Sequence, residues 1–251
     1  MSPRNETAKT IRRLRRSKGN HAILEGPHLV AEALRLGLRF DRVLMTPQFA
    51  ESSAGAEILS ALQRPPTMVA EPLLDALADA DAPRGVLAVA GLQRLRLADL
   101  IPRQDDAWLY LDAIQDPGNL GALARVAEGL GATGLLLSDG CADSRHARAL
   151  RASAGSLLRL PVVVGVAADR AKDALSRFST TWVGLEAHAG AESLHGFAVE
   201  RPFVLALGAE GPGLSEVTRR ALDRTVTIPL SGRLESLNVA VAAALVLEQL
   251  R

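Results

Sequence analysis

Cysteine and aromatic residues are scarce in this sequence. Cys141 is the only cysteine among 251 residues, so an internal disulfide is impossible. The five histidines show no zinc-ligand spacing with it, which argues against a structural metal. Phe, Trp and Tyr make up 3% of the chain, which leaves few rings on which nucleic-acid bases could stack.

Long apolar runs are also missing. Although 48% of the residues are hydrophobic, charges or glycines interrupt every run before it reaches the roughly 18 residues that a membrane span needs. The first residues are rich in arginine and do not resemble a signal peptide. These features predict a soluble, cytoplasmic globular protein.

The net charge of +1 is unevenly distributed. Residues 1–20 contain seven Lys and Arg against one Glu, a net +6, so the rest of the chain carries −5. A basic arm of this kind is suited to phosphate contacts. A solvated, frayed terminus explains the same charge equally well.

The hydrophobic spacing predicts two domains separated by a linker. Residues 21–91 read as a small α/β domain, and residues 92–106 break the pattern with charges and Pro102. Residues 107–251 alternate strands and helices, and their Val- and Leu-rich strands indicate a parallel sheet. Strands are predicted at 42–46, 67–69, 85–90, 108–112, 135–138, 162–164 and 180–185, and helices at 29–36, 56–62, 72–77, 120–130, 147–153 and 170–178. Residues 203–250 add an apolar run, a short polar helix, a second apolar run and a long apolar helix.

Three glycine-bearing loops each join a predicted buried strand to a helix. They are DPGNLG at 116–121, GAEGPG at 208–213, and IPLSG at 228–232 with the following ESLN at 235–238. Open α/β sheets bind ligands at such loops, although any one loop alone is weak evidence. No loop has the G-x-x-x-x-G-K-[ST] or G-x-G-x-x-G pattern, so a conventional dinucleotide site is disfavoured.

Taken together, the three loops resemble the signature motifs of the SpoU (TrmH-type) RNA ribose 2′-O-methyltransferases of the SPOUT class. The matching text is DPGNLGALARVAEGLGATG, LALGAEGPGLS and VTIPLSGRLESLNVAVAAALVLEQL. LEGPHLVAEAL, near the N-terminus, looks like the family's substrate-binding domain, which is similar to a ribosomal-protein fold. One departure is His146-Ala147, where a Ser-Pro pair commonly precedes R-A-S in the family.

The resemblance implies an α/β protein whose C-terminal parallel-sheet domain contains a trefoil knot. It also implies S-adenosyl-L-methionine as the cofactor, rRNA or tRNA as the partner, and a homodimer. The implied catalytic residues are Asn119, Arg125, Glu210, Ser236 and Asn238. The implied cofactor-binding residues are Leu207, Gly208, Gly211, Ile228, Leu230, Leu237 and again Asn238.

Each side chain also has a simpler interpretation. Asn119 and Ser236 could be helix N-caps, Glu210 could be a solvent-exposed loop residue, and Arg125 could be a surface charge. The resemblance implies a general-base role for Arg125, but a guanidinium with a pKa above about 12 is a poor proton acceptor. We therefore expect Arg125 to orient a phosphate or to stabilise a forming alkoxide, with Glu210 as a second candidate for the base.

Further basic residues are expected to grip RNA phosphates beside the active site. They are Arg145, Arg148, Arg151 and Arg159. A non-catalytic RNA-binding protein of the same fold and an antibiotic-resistance methyltransferase acting on rRNA are the alternative functions.

Overall fold

The computed structural model describes residues 9, 11, 20–79, 84–188, 190–232, 234 and 236–250. Of the predicted basic arm at 1–20, only Lys9, Ile11 and Asn20 fall within these residues, so the arm lies almost wholly outside them. The described chain divides into two compact units. The first runs to Gln93 and takes in Asp143–Arg159, and the second contains Arg94–Ala142 and the residues from Leu160 onward.

The first unit is built on a four-stranded mixed sheet of order β1-β4-β2-β3. β1 and β2 both pair antiparallel with β4, and β3 is parallel to β2. Its fully buried side chains include Ile11, Leu44, Leu74 and Leu87. The elements are β1 (His21–Glu25), α1 (Pro27–Arg35), β2 (Phe40–Met45), α2 (Pro47–Ala50), α3 (Ser53–Ala61), β3 (Thr67–Met68), α4 (Glu71–Asp75) and β4 (Val86–Gly91).

From residue 94 the chain continues as alternating strands and helices, as the sequence predicts. The elements are a 3₁₀ turn (Leu97–Asp99), β5 (Ala107–Asp112), α5 (Pro117–Gly129), β6 (Gly134–Leu137), α6 (Ala147–Ala152), α7 (Ser156–Arg159), β7 (Val162–Val164), α8 (Ala168–Leu175), a second 3₁₀ turn (Ser176–Phe178), β8 (Thr181–Leu185), β9 (Glu192–Ser193), β10 (Phe203–Gly208), α9 (Glu216–Ala221), β11 (Arg224–Thr227) and α10 (Val239–Gln249).

The second unit contains a seven-stranded sheet of order β7-β6-β5-β10-β8-β11-β9. Every strand pair is parallel, which confirms the predicted parallel sheet. All six residues of β5 are buried, as expected for a strand covered on both faces. On one face Tyr110 and Trp182 pack with their ring centroids 5.4 Å apart.

The strand order determines which loops are neighbours. β10 lies between β5 and β8 in the sheet, although β5 precedes it by about 90 residues in the chain. In a parallel sheet all carboxyl ends lie at one edge, so the loops that follow β5, β10, β8 and β11 gather there. The two loops 116–121 and 208–213 follow directly adjacent strands.

Four strands and α-helices are absent from the sequence prediction: β1, α2, α7 and β9. α2 and α7 have four residues each and β9 has two, so none is long enough to repeat its hydrophobic period. β1 has only three apolar residues in HAILE. Short elements of this kind are decided by their packing partners.

Residues 143–159 depart from the predicted domain division. The sequence prediction assigns them to the C-terminal domain, whereas in the structure they pack within the first unit. Two ion pairs contribute to this packing: Arg151 contacts the fully buried carboxylate of Glu25, and Arg159 lies 2.6 Å from Glu32. Losing one member of the first pair would leave a buried charge, which is costly.

Among the described residues, no helix has the length and hydropathy to cross a membrane. Within the same residues, no group of three or more His, Cys, Asp or Glu side chains is arranged to hold a metal ion.

Candidate functional site

A cavity of about 620 Å³ opens at the carboxyl edge of the parallel sheet. It lies among the loops that follow β8, β10 and β11 and the start of α10. Six residues predicted to bind the cofactor line it: Leu207, Gly208, Gly211, Ile228, Leu230 and Leu237. The volume is within the range of small-molecule and cofactor sites.

The loop after β10 folds tightly against its own beginning. The N–H of Gly213 donates to the carbonyl of Ala209 at 2.9 Å, and a Cβ at position 208 would overlap the backbone of Gly213. Gly211 and Gly213 have φ angles of 88° and 71°, in the left-handed region that favours glycine. The close turn therefore requires glycine and exposes backbone along one wall of the cavity.

Three predicted catalytic side chains form one hydrogen-bonded cluster. Asn119 Nδ2 donates to Glu210 Oε1 at 2.9 Å, and Asn238 Nδ2 donates to Asn119 Oδ1 at 3.0 Å. Asn238 Nδ2 is also 3.4 Å from Glu210 Oε1. The cluster joins the loops after β5, β10 and β11, which are remote in sequence.

The helix caps differ from the two capping interpretations. Asp116, and not Asn119, caps α5 by accepting from the N–H of Asn119 at 2.8 Å. Asn238, and not Ser236, caps α10 by accepting from the N–H of Ala240 at 3.0 Å. The side-chain amide of Asn119 is thereby left to bond with Glu210 and Asn238.

The remaining predicted site residues lie apart from the cluster's hydrogen bonds. Ser236 is exposed and lines the cavity together with Glu210. Asn238, which is also predicted to bind the cofactor, belongs to the cluster and does not line the cavity. Arg125 is exposed on α5 and makes no hydrogen bond or ion pair with any residue that the structure describes.

Asp112 is a buried carboxylate that the sequence prediction does not single out. Its Oδ2 accepts from the Ser215 N–H and the Thr218 hydroxyl, both at 2.7 Å, and its Oδ1 is 3.3 Å from the Ser138 hydroxyl. Burial raises the pKa of Asp112, but these hydrogen bonds outweigh burial and lower the pKa below its ordinary value. The ionised carboxylate ties β5 to β6 and α9. A charged residue ending the apolar run WLYLD is the signal that could have identified it.

A second polar group lines the cavity beside the glycine loop. Glu186, His188 and Arg219 belong to it, and none of them is among the predicted site residues. Arg219 Nε donates to Glu186 Oε1 at 2.8 Å, and this hydrogen bond raises the pKa of Arg219. Glu186 and His188 directly follow the strand predicted at 180–185, which is the signal that could have identified them, whereas Arg219 lies on α9.

Three arginines expected to grip RNA are already paired with carboxylates of the first unit. Arg145 lies 3.0 Å from Asp143, and Arg151 and Arg159 form the ion pairs with Glu25 and Glu32. Arg151 and Arg159 therefore hold residues 143–159 against β1 and α1, whereas the pair of Arg145 lies within that segment. His146, at the departure from the family pattern, caps α6 by accepting from the Arg148 N–H at 3.2 Å.

The sequence matches two family models. The model of the SpoU rRNA Methylase family matches residues 106–248, and the model of the MRM3-like substrate binding domain matches residues 5–88. The first covers more than half of the chain and contains every predicted site residue.

Two relatives with named activities align over most of their length. The chain is 31% identical to the 23S rRNA (guanosine(2553)-2′-O)-methyltransferase RlmP of Bacillus subtilis (strain 168), over 100% of this chain and 98% of that one. It is 30% identical to the 23S rRNA (uridine(2479)-2′-O)-methyltransferase of Streptomyces viridochromogenes, over 94% of this chain and 84% of that one. The two names give different bases as targets.

Solved structures agree with the fold over nearly the full chain. The SpoU methyltransferase AviRb from Streptomyces viridochromogenes, in complex with AdoMet, gives a TM-score of 0.87 at 27% identity and covers 99% of this chain and 97% of that one. An AdoMet-bound rRNA methyltransferase from Sinorhizobium meliloti gives a TM-score of 0.82 at 27% identity, covering 99% and 95%.

Proposed function

The chain belongs to the SpoU rRNA methylase family, and from this premise we propose that it transfers a methyl group from S-adenosyl-L-methionine to a ribose 2′-hydroxyl of ribosomal RNA. The observation that carries the proposal is the cluster of Asn119, Glu210 and Asn238 beside the glycine-walled cavity. Polar side chains from three loops meet where a substrate could approach a bound cofactor.

The cavity fits this cofactor. Its volume of about 620 Å³ accommodates a nucleoside with an amino-acid chain. Leu207, Ile228, Leu230 and Leu237 would hold the flat base by apolar contact, and the backbone exposed at Gly208 and Gly211 would bind its polar edges. When bound, the cofactor supplies an electrophilic methyl group on a positively charged sulfur.

The side-chain cluster would position the ribose that accepts the methyl group. A ribose hydroxyl is a weak nucleophile until its proton is lost or its developing charge is stabilised. Asn119, Asn238 and Ser236 would orient the sugar by hydrogen bonding. Arg125, whose side chain is exposed, would hold the neighbouring phosphate or stabilise the forming alkoxide.

Glu210 is the second candidate for the proton acceptor. Its Oε1 already receives the amide of Asn119, and a carboxylate retains further acceptor capacity. Glu210→Gln keeps an acceptor oxygen but removes the basic carboxylate. If Glu210 is the base, this variant loses methyl transfer while it still binds the cofactor.

The first unit would bind the RNA. Its match to a substrate binding domain supports this role, and the predicted basic arm at 1–20 would add phosphate contacts. We place the work of the protein in the cytoplasm, where ribosomal RNA is modified and assembled. The domain limits 21–91 and 107–251, with a linker at 92–106, are part of the same proposal, with residues 143–159 of the second domain packing in the first compact unit.

A trefoil knot and a homodimer complete the proposal. The knot is supported by the strand order, in which β10 returns to the middle of the sheet, and by the packing of α10 on α5. The dimer is supported by the exposed apolar side chains Val241 and Leu245 on α10, because single-chain surfaces seldom leave such a face uncovered.

Mapping of 2′-O-methylation in rRNA and tRNA from a gene-deletion strain and its parent tests the function. We expect one methylated ribose to disappear from rRNA and to return when the purified protein and S-adenosyl-L-methionine are added to the deletion-strain RNA. Stoichiometric cofactor binding without any transfer would instead indicate a non-catalytic RNA-binding protein.

A further inference from the structure

Glu186 is the residue that follows β8 and has a constrained place in the cavity wall. Its N–H donates to the carbonyl of Val226 at 3.0 Å, which extends the pairing of β8 with β11. Its side chain is only 11% exposed and lines the cavity. β8 and β10 are parallel neighbours whose pairing ends at Gly184 and Ala206, two residues before Glu186 and Gly208, and both of these residues line the cavity.

The carboxylate of Glu186 has one engaged and one available oxygen. Oε1 accepts from Arg219 Nε at 2.8 Å, whereas Oε2 lies 3.9 Å from His188 Nε2 and accepts no hydrogen bond from the described residues. The hydrogen bond from the guanidinium fixes the orientation of the carboxylate. A nearly buried charged oxygen with free acceptor capacity favours a ligand that donates hydrogen bonds.

We propose that Glu186 is a cofactor-binding residue that accepts hydrogen bonds from the two vicinal ribose hydroxyls of the nucleoside held in this cavity. The inference rests on the proposed function and adds a specificity-determining residue to it. In dinucleotide-binding folds a carboxylate near the glycine loop binds ribose hydroxyls, and Glu186 places the same chemistry beside Gly208 by a different route. Arg219 acts through Glu186 as a positioning residue.

The positions of the lining residues favour the ribose hydroxyls over the ammonium group of the cofactor as the hydrogen-bond donors to Glu186. Ile228, Leu230 and Leu237 provide the apolar surface for a base, and Gly208 provides the close backbone approach. The sugar is attached directly to the base, so its hydroxyls fall within reach of a carboxylate that stands beside Gly208. The ammonium group lies at the far end of a flexible chain.

Calorimetric dissociation constants for three ligands test the inference without relying on activity. The ligands are S-adenosylhomocysteine, 5′-methylthioadenosine, which lacks the amino-acid chain, and 2′,3′-dideoxy-5′-methylthioadenosine, which also lacks both hydroxyls. Glu186→Gln should raise the dissociation constants of the first two ligands by roughly tenfold or more, since charge-assisted hydrogen bonds are lost. The dissociation constant of the third ligand should stay within about twofold of its wild-type value.

Glu216→Gln is the matched control. Glu216 is the other carboxylate near Arg219, at 3.5 Å, but it does not line the cavity, so all three constants should stay unchanged. The inference is overturned if Glu186→Gln weakens the binding of all three ligands equally, weakens the binding of S-adenosylhomocysteine alone, or weakens the binding of none. If the variant fails to fold, the wild type decides: it should prefer 5′-methylthioadenosine over its dideoxy analogue by at least about tenfold.

The wild-type protein separates failure of this inference from failure of the proposed function. A wild type that binds none of the ligands and methylates no RNA contradicts both. A wild type that binds S-adenosylhomocysteine and methylates rRNA, while Glu186→Gln binds all ligands normally, contradicts only the role of Glu186.

Discussion

The side-chain amide of Asn119 donates a 2.9 Å hydrogen bond to the carboxylate of Glu210, although the two residues are 91 positions apart in the chain. The contact exists because β5 and β10 are adjacent parallel strands, so the loops that follow them meet at one edge of the sheet. Asn238 joins the pair from a third loop. The proposed catalytic centre is therefore a property of strand order.

Asn238 has two separable functions in this cluster. Asn238→Asp keeps an oxygen that caps α10 but removes the amide that donates to Asn119 and Glu210. We expect single-turnover methyl transfer to fall by about tenfold or more, and thermal unfolding to change by less than about 1 kcal/mol because the cap is kept. A variant with full transfer rate would show that the amide donor does not contribute to the reaction.

Arg125 should contribute to transfer and not to cofactor binding. It is exposed on α5 and does not line the cavity. Arg125→Ala should lower transfer by about a hundredfold, in the range measured for the loss of a group that stabilises transition-state charge, with the cofactor dissociation constant unchanged. Arg125→Lys should recover part of the rate with the same pH profile, which would rule out a proton-acceptor role for the guanidinium.

Arg170→Ala provides the control for this pair of variants. Arg170 is an exposed arginine on α8, and its loss should leave both the transfer rate and the cofactor affinity at the wild-type values.

Gly208 should not tolerate any side chain. A Cβ at this position would overlap the backbone of Gly213, which cannot move as a flexible side chain could. Gly208→Ala should destabilise the fold by about 1–3 kcal/mol and abolish measurable cofactor binding by calorimetry. In Gly129→Ala, where nothing lies within 4 Å of the new Cβ, binding should be normal. Normal binding by Gly208→Ala would contradict the close packing of this loop.

Asp112 should make the folding stability depend on acid pH through its bond with Thr218. The pKa of Asp112 is lower in the folded chain, so its contribution is complete above the unfolded value of about 3.9 and is lost as the pH falls toward the folded value. Thr218→Val should cost about 1–2 kcal/mol in urea unfolding at pH 7, and less at pH 3.

Thr225→Val is the matched control for Thr218→Val. Among the described residues the Thr225 hydroxyl makes no hydrogen bond, so this variant should stay within about 0.5 kcal/mol of the wild type at both pH values. An equal, pH-independent loss in Thr218→Val would mean that its hydroxyl does not act through the charge of Asp112.

Charge on the apolar face of α10 should disrupt the proposed homodimer. Val241 and Leu245 are 51% and 45% exposed and adjoin Val126 and Leu130 of the α5 region. Leu245→Glu should convert a dimer to a monomer in light scattering. Val217→Glu, on another exposed helix position, should leave the mass unchanged. A wild-type protein that is monomeric at micromolar concentration would contradict the dimer.

Much of the local structure was predictable from short-range patterns. Val162–Val164 matches its predicted strand, and most longer elements agree within a few residues, because the buried strands are continuous apolar runs. The local pattern did not identify the helix N-caps correctly, because several neighbouring polar residues could each cap the same helix. Asp116 and Asn238 cap α5 and α10, although Asn119 and Ser236 are equally good caps by residue type.

By itself, the sequence determined the parallel α/β class, the three glycine-bearing loops and the six lining residues from Leu207 to Leu237, since these depend on local periodicity and on motifs. Only the tertiary structure decided that Asn119, Glu210 and Asn238 bond to one another, that Glu186 enters the same cavity, and that Arg151 pairs with Glu25. These relations depend on the order of strands in the sheet and on packing between distant segments, and no local pattern of residues encodes that order.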